Sequence, residues 1–297
     1  MNVTSHDPKV QAGDLGSLLR YWRDARGVSQ LDLSLEAGIS QRQISFIESG
    51  RSVPGRDTLL ALAQTLEVPL RERNALLLAA GYAPIYSEAP WNAQEMHSVV
   101  RALERVVRQH EPFPALVMDR DWNVLMSNDA APRFFNCFID MAAREGPRNM
   151  LHLIFDPRGM RPFVADWEEV ARSLLQRVYR ESVGHVVVDH TRRLLDELLA
   201  YPGVPRDWKT HHGSSATHAA MPMIPLGLVS DGVVLRYFSM VTTVGTPQNV
   251  AAQELRVECM FPADDVTEAL HQQLLAAHGA TSGKPGDSGG QLEEPPS

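Results

Sequence analysis

Cysteine is almost missing from this chain: Cys137 and Cys259 are the only two in 297 residues. They stand far apart and in no CxxC arrangement, which excludes a disulfide framework and a thiolate metal site and suits a reducing cytosol. Long hydrophobic runs are missing too. No stretch approaches about 20 uninterrupted apolar residues, and the N-terminus "MNVTSHDPKV" lacks the basic-then-apolar order of a signal peptide. The expectation is a cytoplasmic protein that does not enter a membrane. Also missing are GxSxG, a GxGxxG following a strand and a phosphate loop, so the pattern argues against an enzyme. A positive excess, the usual footprint of a nonspecific nucleic-acid binder, is missing as well, since the formal net charge is −8.

What is present is enough apolar material, 44% of the residues, to build real cores, and a length that suits two domains. The charge divides unevenly along it. Residues 1–80 hold nine basic and nine acidic side chains, leaving 19 basic and 27 acidic for the rest. A neutral first part can still present a locally basic surface.

In that first part, Leu15, Leu18, Leu19 and Trp22 recur at the spacing of one helical face, and Gly27 ends the run. Ser29 with Asp32 forms a capping box that opens a short helix from Gln30 to Ala37. Gly38 supplies a turn, and Ser40 with Gln43 is a second capping box, opening a helix through Ile44 and Ile47 that Gly50 closes. Two further helices follow in "RDTLLALAQTLEV" and "PLRERNALLLAAG". Two short helices joined by a Gly turn predict a helix-turn-helix, whose second helix enters the major groove with its N-terminal residues at base edges. With Gln43 occupied as a cap partner, Gln41, Arg42 and Ser45 face outward. Gln pairs bidentately with adenine and Arg with guanine. Ser40 sits at the same entering end, and Gln30 and Arg51 are placed to meet phosphates. A plain helical bundle fits the same spacing, so spacing alone leaves both readings open.

The remainder opens on a connector with Pro84 and Pro90, followed by a helix whose stripe is Val99, Val100, Leu103, Val106 and Val107. This helix either packs on the second domain or pairs with its twin in a dimer. Ala115–Asp119 and Trp122–Ser127 flank the polar step Arg120-Asp121 as a hairpin, and Asn128 caps the helix beyond it. Helices follow at Trp167–Val178 and Leu194–Leu199. Strands return around the Asp231-Gly232 turn and end in "ELRVECMF", where Leu255, Val257, Cys259 and Phe261 alternate with charged residues so that one face is buried. The predicted fold is an all-α N-terminal domain of five helices, then an α+β domain with an antiparallel sheet and its helices on one side. His211, His212 and His218 cluster in "HHGSSATH", but without a spaced fourth ligand they predict no metal. The pairs Glu168-Glu169 and Asp264-Asp265 sit at helix starts, where capping outranks acid/base chemistry.

The run "GVSQLDLSLEAGISQRQISFIESGR" resembles the Cro/repressor-type (XRE) helix-turn-helix, and that resemblance implies a structural pair between Arg23 and Glu48. The later motifs "PALVMDRDWNVLMSN", "FDP", "DWEEVARSLLQR", "TTVGTP" and "ELRVECMFPAD" resemble the C-terminal domain of the MmyB-like transcription regulators, a PAS-like sensor fold. Together they cover about Leu15 to Leu275. The implied domains are 1–82 (DNA binding), 83–110 (linker and linker helix), 111–278 (PAS-like ligand binding) and 279–297, a Gly/Pro/Ser-rich tail expected to be disordered. The implied protein is a homodimeric, sequence-specific regulator of a double-stranded DNA operator. It responds to a small apolar effector, fatty-acid-like, and needs no cofactor. Candidate lining residues are Met118, Met126, Phe134, Tyr237 and Met240, residues of types that are more often ordinary core than pocket lining, with Asn128 and Trp167 beside them. Arg161 or Asn149 near "FDP" is placed to receive a carboxylate. The competing reading is a helix-turn-helix interaction protein that does not read DNA sequence.

Overall fold

The computed structural model describes residues 14–182, 189–209 and 226–281. Five helices come first: α1 (Leu15–Ala25), α2 (Gln30–Ala37), α3 (Gln41–Glu48), α4 (Arg56–Thr65) and α5 (Leu70–Ala79). Their core joins Leu19, Trp22, Leu33, Ile44, Ile47 and Leu62, the apolar positions of the helical periodicity. Asp14 caps α1 by accepting from the Gly16 and Ser17 amides. The box at the start of α2 is complete, with Ser29 and Asp32 each serving the other's backbone. Gly38 ends α2 in the left-handed region at φ 67°, which a residue with a Cβ adopts only at a cost. At Gly16 the reason for glycine is space. A Cβ there would lie 2.7 Å from the carbonyl oxygens of Ile47 and Glu48, so α1 and α3 approach as closely as they do because position 16 has no side chain.

The C-terminal domain contains α6 (His97–Gln109), β1 (Ala115–Met118), β2 (Val124–Ser127), α7 (Ala130–Asn136), α8 (Met150–Phe155), α9 (Trp167–Ser182) and α10 (Asp189–Ala200). It continues with β3 (Leu226–Ser230), β4 (Val233–Thr243), α11 (Val250–Glu254), β5 (Arg256–Pro262) and α12 (Asp265–Thr281). The strands form one antiparallel sheet in the order β2-β1-β5-β4-β3. Asp231 and Gly232 both have positive φ, as a two-residue hairpin between β3 and β4 requires.

Four expectations are corrected. The helices do not collect on one side. Leu103 and Val107 of α6 pack with Met96 against Ala115, Val117 and Val257, while α7 to α10 cover the opposite face in a separate and larger core. The linker helix therefore packs on its own domain, leaving Val106 of its stripe exposed. Trp122 lies in the β1–β2 turn rather than in β2, because Asp119 Oδ1 accepts from the amides of both Asp121 and Asn123 at 2.9 Å and closes a wider loop. The β5 alternation buries Val257 on the α6 side but points Arg256 and Glu258 into the other helical layer, since a strand covered on both faces has no solvent face to give its polar residues. Finally, α12 runs to Thr281, past the expected start of the tail at 279; the rest of that tail and the histidine cluster at 211–218 lie outside the described residues. No described helix is long and apolar enough to cross a membrane.

Glu48 ties the first domain together. Its side chain is fully buried, and it accepts from Arg23 Nε at 2.6 Å, Arg23 Nη2 at 3.2 Å and Gln30 Nε2 at 2.8 Å. Arg23 Nη1 donates to the Val28 carbonyl at 2.9 Å, and Arg20 Nη2 to that of Glu48 at 2.9 Å. Burial by itself would raise the Glu48 carboxyl, but the hydrogen bonds from Arg23 and Gln30 and the charges of Arg23 and Arg20 outweigh it and hold it below the ordinary value. Removing one partner of such a pair strands a buried charge, so Arg23→Ala is expected to cost about 3–5 kcal/mol in urea unfolding. The same lowered carboxyl means that the stability from Glu48 is complete above about pH 4.3, the unfolded value, and is lost as pH falls through the folded one. Unchanged urea stability of Arg23→Ala would contradict the structural role.

Candidate functional site

The helix-turn-helix presents Gln41, Arg42 and Gln43 as exposed side chains at the N-terminal end of α3, with Ser45 half-buried one turn on. Ser40 Oγ accepts from the Gln43 amide at 3.3 Å, and no return bond from the Gln43 side chain completes a box, so Gln43 joins the outward-facing set. Ser40 is thus an N-cap. Gln30, expected at a phosphate, has its amide group committed to Glu48 inside the fold and is corrected to a structural position. Arg51 is exposed. The spacing of the sequence did not single out Phe46, yet two guanidiniums lie over its ring, with Arg42 at 5.2 Å and Arg51 at 5.7 Å from the centroid. Each contact contributes about 0.5–1 kcal/mol at an exposed position and narrows the directions the arginines sample before any partner arrives.

On the sheet face away from α6 there is a cavity of about 190 Å³, walled by Leu116, Trp122, Met150, Ile154, Leu228 and Met260 among others. Its polar side chains are Ser173, Ser239, Glu258 and Tyr237. Of the nine proposed lining residues, Tyr237 alone borders it. Met118 and Phe134 are fully buried core beside it. Met126 packs on the α6 side, because a register shift between β1 and β2 sets it opposite Val117, and Met240 is exposed on that same face, opposite Cys259. Asn128 is occupied at a buried junction, accepting from the Ala115 and Ala131 amides at 3.0 and 3.2 Å and donating to the Phe113 carbonyl at 2.8 Å. Asn149 is the N-cap of α8 and also donates to the Asp121 carbonyl at 2.7 Å. Arg161 donates to the Pro202 carbonyl and covers the Trp167 ring at 4.8 Å, so all three are spent outside the cavity. The expected carboxylate receptors are corrected accordingly: no Arg or Lys borders the cavity among the described residues.

Tyr237 turns its ring to the cavity and its hydroxyl away, to His271 Nδ1 of α12 at 2.9 Å. His271 Nε2 faces the Pro112 carbonyl at 3.1 Å, which only accepts, so Nε2 carries the hydrogen and Nδ1 accepts from the tyrosine. Burial pushes the Tyr237 hydroxyl up and the His271 imidazole down.

Trp122 has φ 67° and forms a wall common to the cavity and to a second cleft bordered by Pro69, Arg120, Glu181, Glu254 and Arg256. Arg177 and Arg256 both lie over its ring, at 4.5 and 5.0 Å from the centroid. Arg256 pairs with Glu181 at 2.8 Å and donates to the Arg120 carbonyl at 3.3 Å. Arg120 in turn meets Glu254 at 3.3 Å, and Glu254 takes both Nε and Nη2 of Arg71 in α5, at 2.7 and 2.9 Å. Beside it, Gln253 Oε1 accepts from the Leu70 amide at 2.7 Å, capping α5 from the other domain. A continuous set of charged contacts thus leads from the cavity wall into the helix-turn-helix domain.

The comparisons agree with this division. Residues 99–274 match the model of the MmyB-like transcription regulator ligand binding domain, which is more than half of the chain. The chain belongs to the MmyB-like transcription regulators. Residues 19–73 match a helix-turn-helix family model, so this MmyB-like regulator pairs a DNA-binding domain with a ligand-binding one. None of the curated proteins matches it significantly. A solved structure described as an RNA-binding light-oxygen-voltage receptor aligns over 91% of this chain and 62% of its own length at 10% identity. The chain thus spans less than two thirds of that structure, and the TM-score of 0.27 supports no argument from it.

The buried histidine makes a testable statement about pH. An unfolded His271 takes its proton near pH 6.5 and the folded one only below that. The stability linked to it is therefore present above that value and lost as pH falls through the lowered one. In urea unfolding at stepped pH, His271→Phe is expected to flatten the decline below about pH 6.5. An unaltered slope would show that His271 is not kept neutral.

Proposed function

We propose that this MmyB-like regulator acts in the cytoplasm as a homodimer, reading a two-fold DNA operator through α3 and sensing a small, largely apolar effector in the cavity beneath the sheet. The observation that carries the DNA reading is the exposure of Gln41 and Arg42 at the start of α3, while the far end of the same helix is anchored through buried Glu48. Those two side chains have the donor and acceptor sets for adenine and guanine edges. One helix-turn-helix covers one half-site, and a two-fold partner supplies the other about 34 Å away.

The effector reading rests on the apolar lining, and the coupling on the Trp122, Arg256, Arg120, Glu254 and Arg71 contacts. Trp122 borders the cavity, so a ligand that favours one placement of the ring biases the charged contacts behind it and with them the docking of α5. It does so only through differential affinity for two arrangements. A fatty acid was the expected effector; with no Arg or Lys on the wall among the described residues, the cavity supports the apolar part of that expectation and not its carboxylate.

Selection from a random DNA pool at stated salt is expected to enrich a palindrome with half-sites one helical turn apart. On the selected site, the double variant Gln41→Ala, Arg42→Ala is expected to lose about five- to 150-fold in affinity per residue with unchanged thermal stability, since each bidentate base contact is worth about 1–3 kcal/mol. No enrichment, or affinity unchanged in the double variant, would favour an interaction protein that does not read sequence. Glu254→Gln is expected to leave operator affinity near that of the parent while weakening its dependence on effector; a full response in that variant would exclude this route.

A further inference from the structure

We propose that the cavity takes a ligand of about one ring or a short chain that carries a protonated amine, read by Glu258, rather than a carboxylate. The inference rests on the reading of this cavity as the effector site and deepens it.

Register places the group. Glu258 of β5 lies opposite Leu116 of β1 and Val241 of β4, in the same alternation as Met260, which belongs to the cavity-side core. Arg177 approaches it from α9, which confirms that the side chain is on that face. Its Oε2 is buried and accepts no hydrogen bond; Arg177 Nη2 stands 3.8 Å away. That guanidinium is already engaged, donating from Nε to Glu181 at 3.0 Å and lying over Trp122. Arg256 borders the second cleft and not this cavity. Among the described residues, the one carboxylate or cationic side chain that borders the cavity is therefore Glu258, accompanied by the hydroxyls of Ser173 and Ser239.

A buried carboxylate oxygen without a donor is costly to leave as it is, and a ligand ammonium supplies the donor and the opposite charge together. A ligand carboxylate would come up beside the Glu258 carboxyl in a site of low dielectric, and among the described residues no Arg or Lys borders the cavity to receive it. Size narrows the class further. The cavity, at about 190 Å³, is only slightly larger than the roughly 150 Å³ apolar cavity that holds benzene. A ligand held wholly inside it is of the size of one ring or a short chain.

The test is calorimetric titration of the full chain at neutral pH and fixed salt with phenethylamine, 2-phenylethanol and phenylacetate, which share a ring and differ in the charge of the head. The amine is expected to bind about tenfold or more tighter than phenylacetate. In Glu258→Gln that preference is expected to collapse, with phenylethanol binding as in the parent. Tighter binding of phenylacetate, or a ranking that survives in Glu258→Gln, overturns the amine assignment and leaves the cavity as an effector site. Binding of none of the three to the parent protein overturns both. The ranking in the parent stands whether or not the variant folds.

Discussion

Strand β5 lies between β1 and β4 in a sheet that carries helices on both faces. That position leaves its alternation no route to solvent. Val257 and Cys259 pack under α6, and the residues between them, Arg256 and Glu258, must enter the other layer. Burying them is tolerable because each finds work there: Arg256 holds Trp122, Glu181 and the Arg120 carbonyl, and Glu258 stands at the cavity wall. The rest of the lining is mainly apolar, with Ser173, Ser239 and Tyr237 as its other polar side chains. The chemistry of the ligand-binding domain thus follows from where one strand sits in the sheet order.

The same strand brings the domains together. Directly before it, α11 offers Gln253 and Glu254 to the start of α5, where a backbone amide and Arg71 receive them. The Val250 amide donates to the Ser87 carbonyl at 2.9 Å, and Asn74 Oδ1 accepts from the Ile85 and Tyr86 amides, so residues 85–87 of the connector are pinned to both domains. Polar contacts of this kind are specific in geometry and moderate in net energy, since desolvation offsets much of the attraction. On the proposed coupling, such contacts suit the junction better than a large apolar interface would, because a modest differential affinity then suffices to shift it.

The DNA-binding domain solves a different problem. Its reading helix has eight residues, too few to be stable alone, and depends on what anchors it. Glu48 does this at the C-terminal end, with Arg23 and Gln30 completing a buried set that leaves its oxygens satisfied. Because that end is held, the N-terminal end projects Gln41 and Arg42 in fixed register, and the Phe46 ring steadies Arg42 and Arg51.

How much was legible in the sequence depends on the range of the interaction. The five N-terminal helices, their serine caps and the turn at Gly38 are governed by neighbours within about four positions, so apolar spacing and capping chemistry define them. The Asp231-Gly232 hairpin is local in the same way. The ligand site is not. Which methionines face the cavity depends on the direction in which each strand's alternation points, and Met126 and Met240 point the other way. Whether Asn128, Asn149 and Arg161 are free for a ligand depends on carbonyls and amides that are distant in sequence or hidden in turns. Glu258 read from the sequence as the polar side of a half-buried strand; it became a cavity residue only when α6 covered one face of β5 and α9 the other. By itself the sequence determined the helices, the turns and the reading surface. The sheet order, with its long-range pairing and double coverage, decided which polar residues are buried and hence what the cavity can hold.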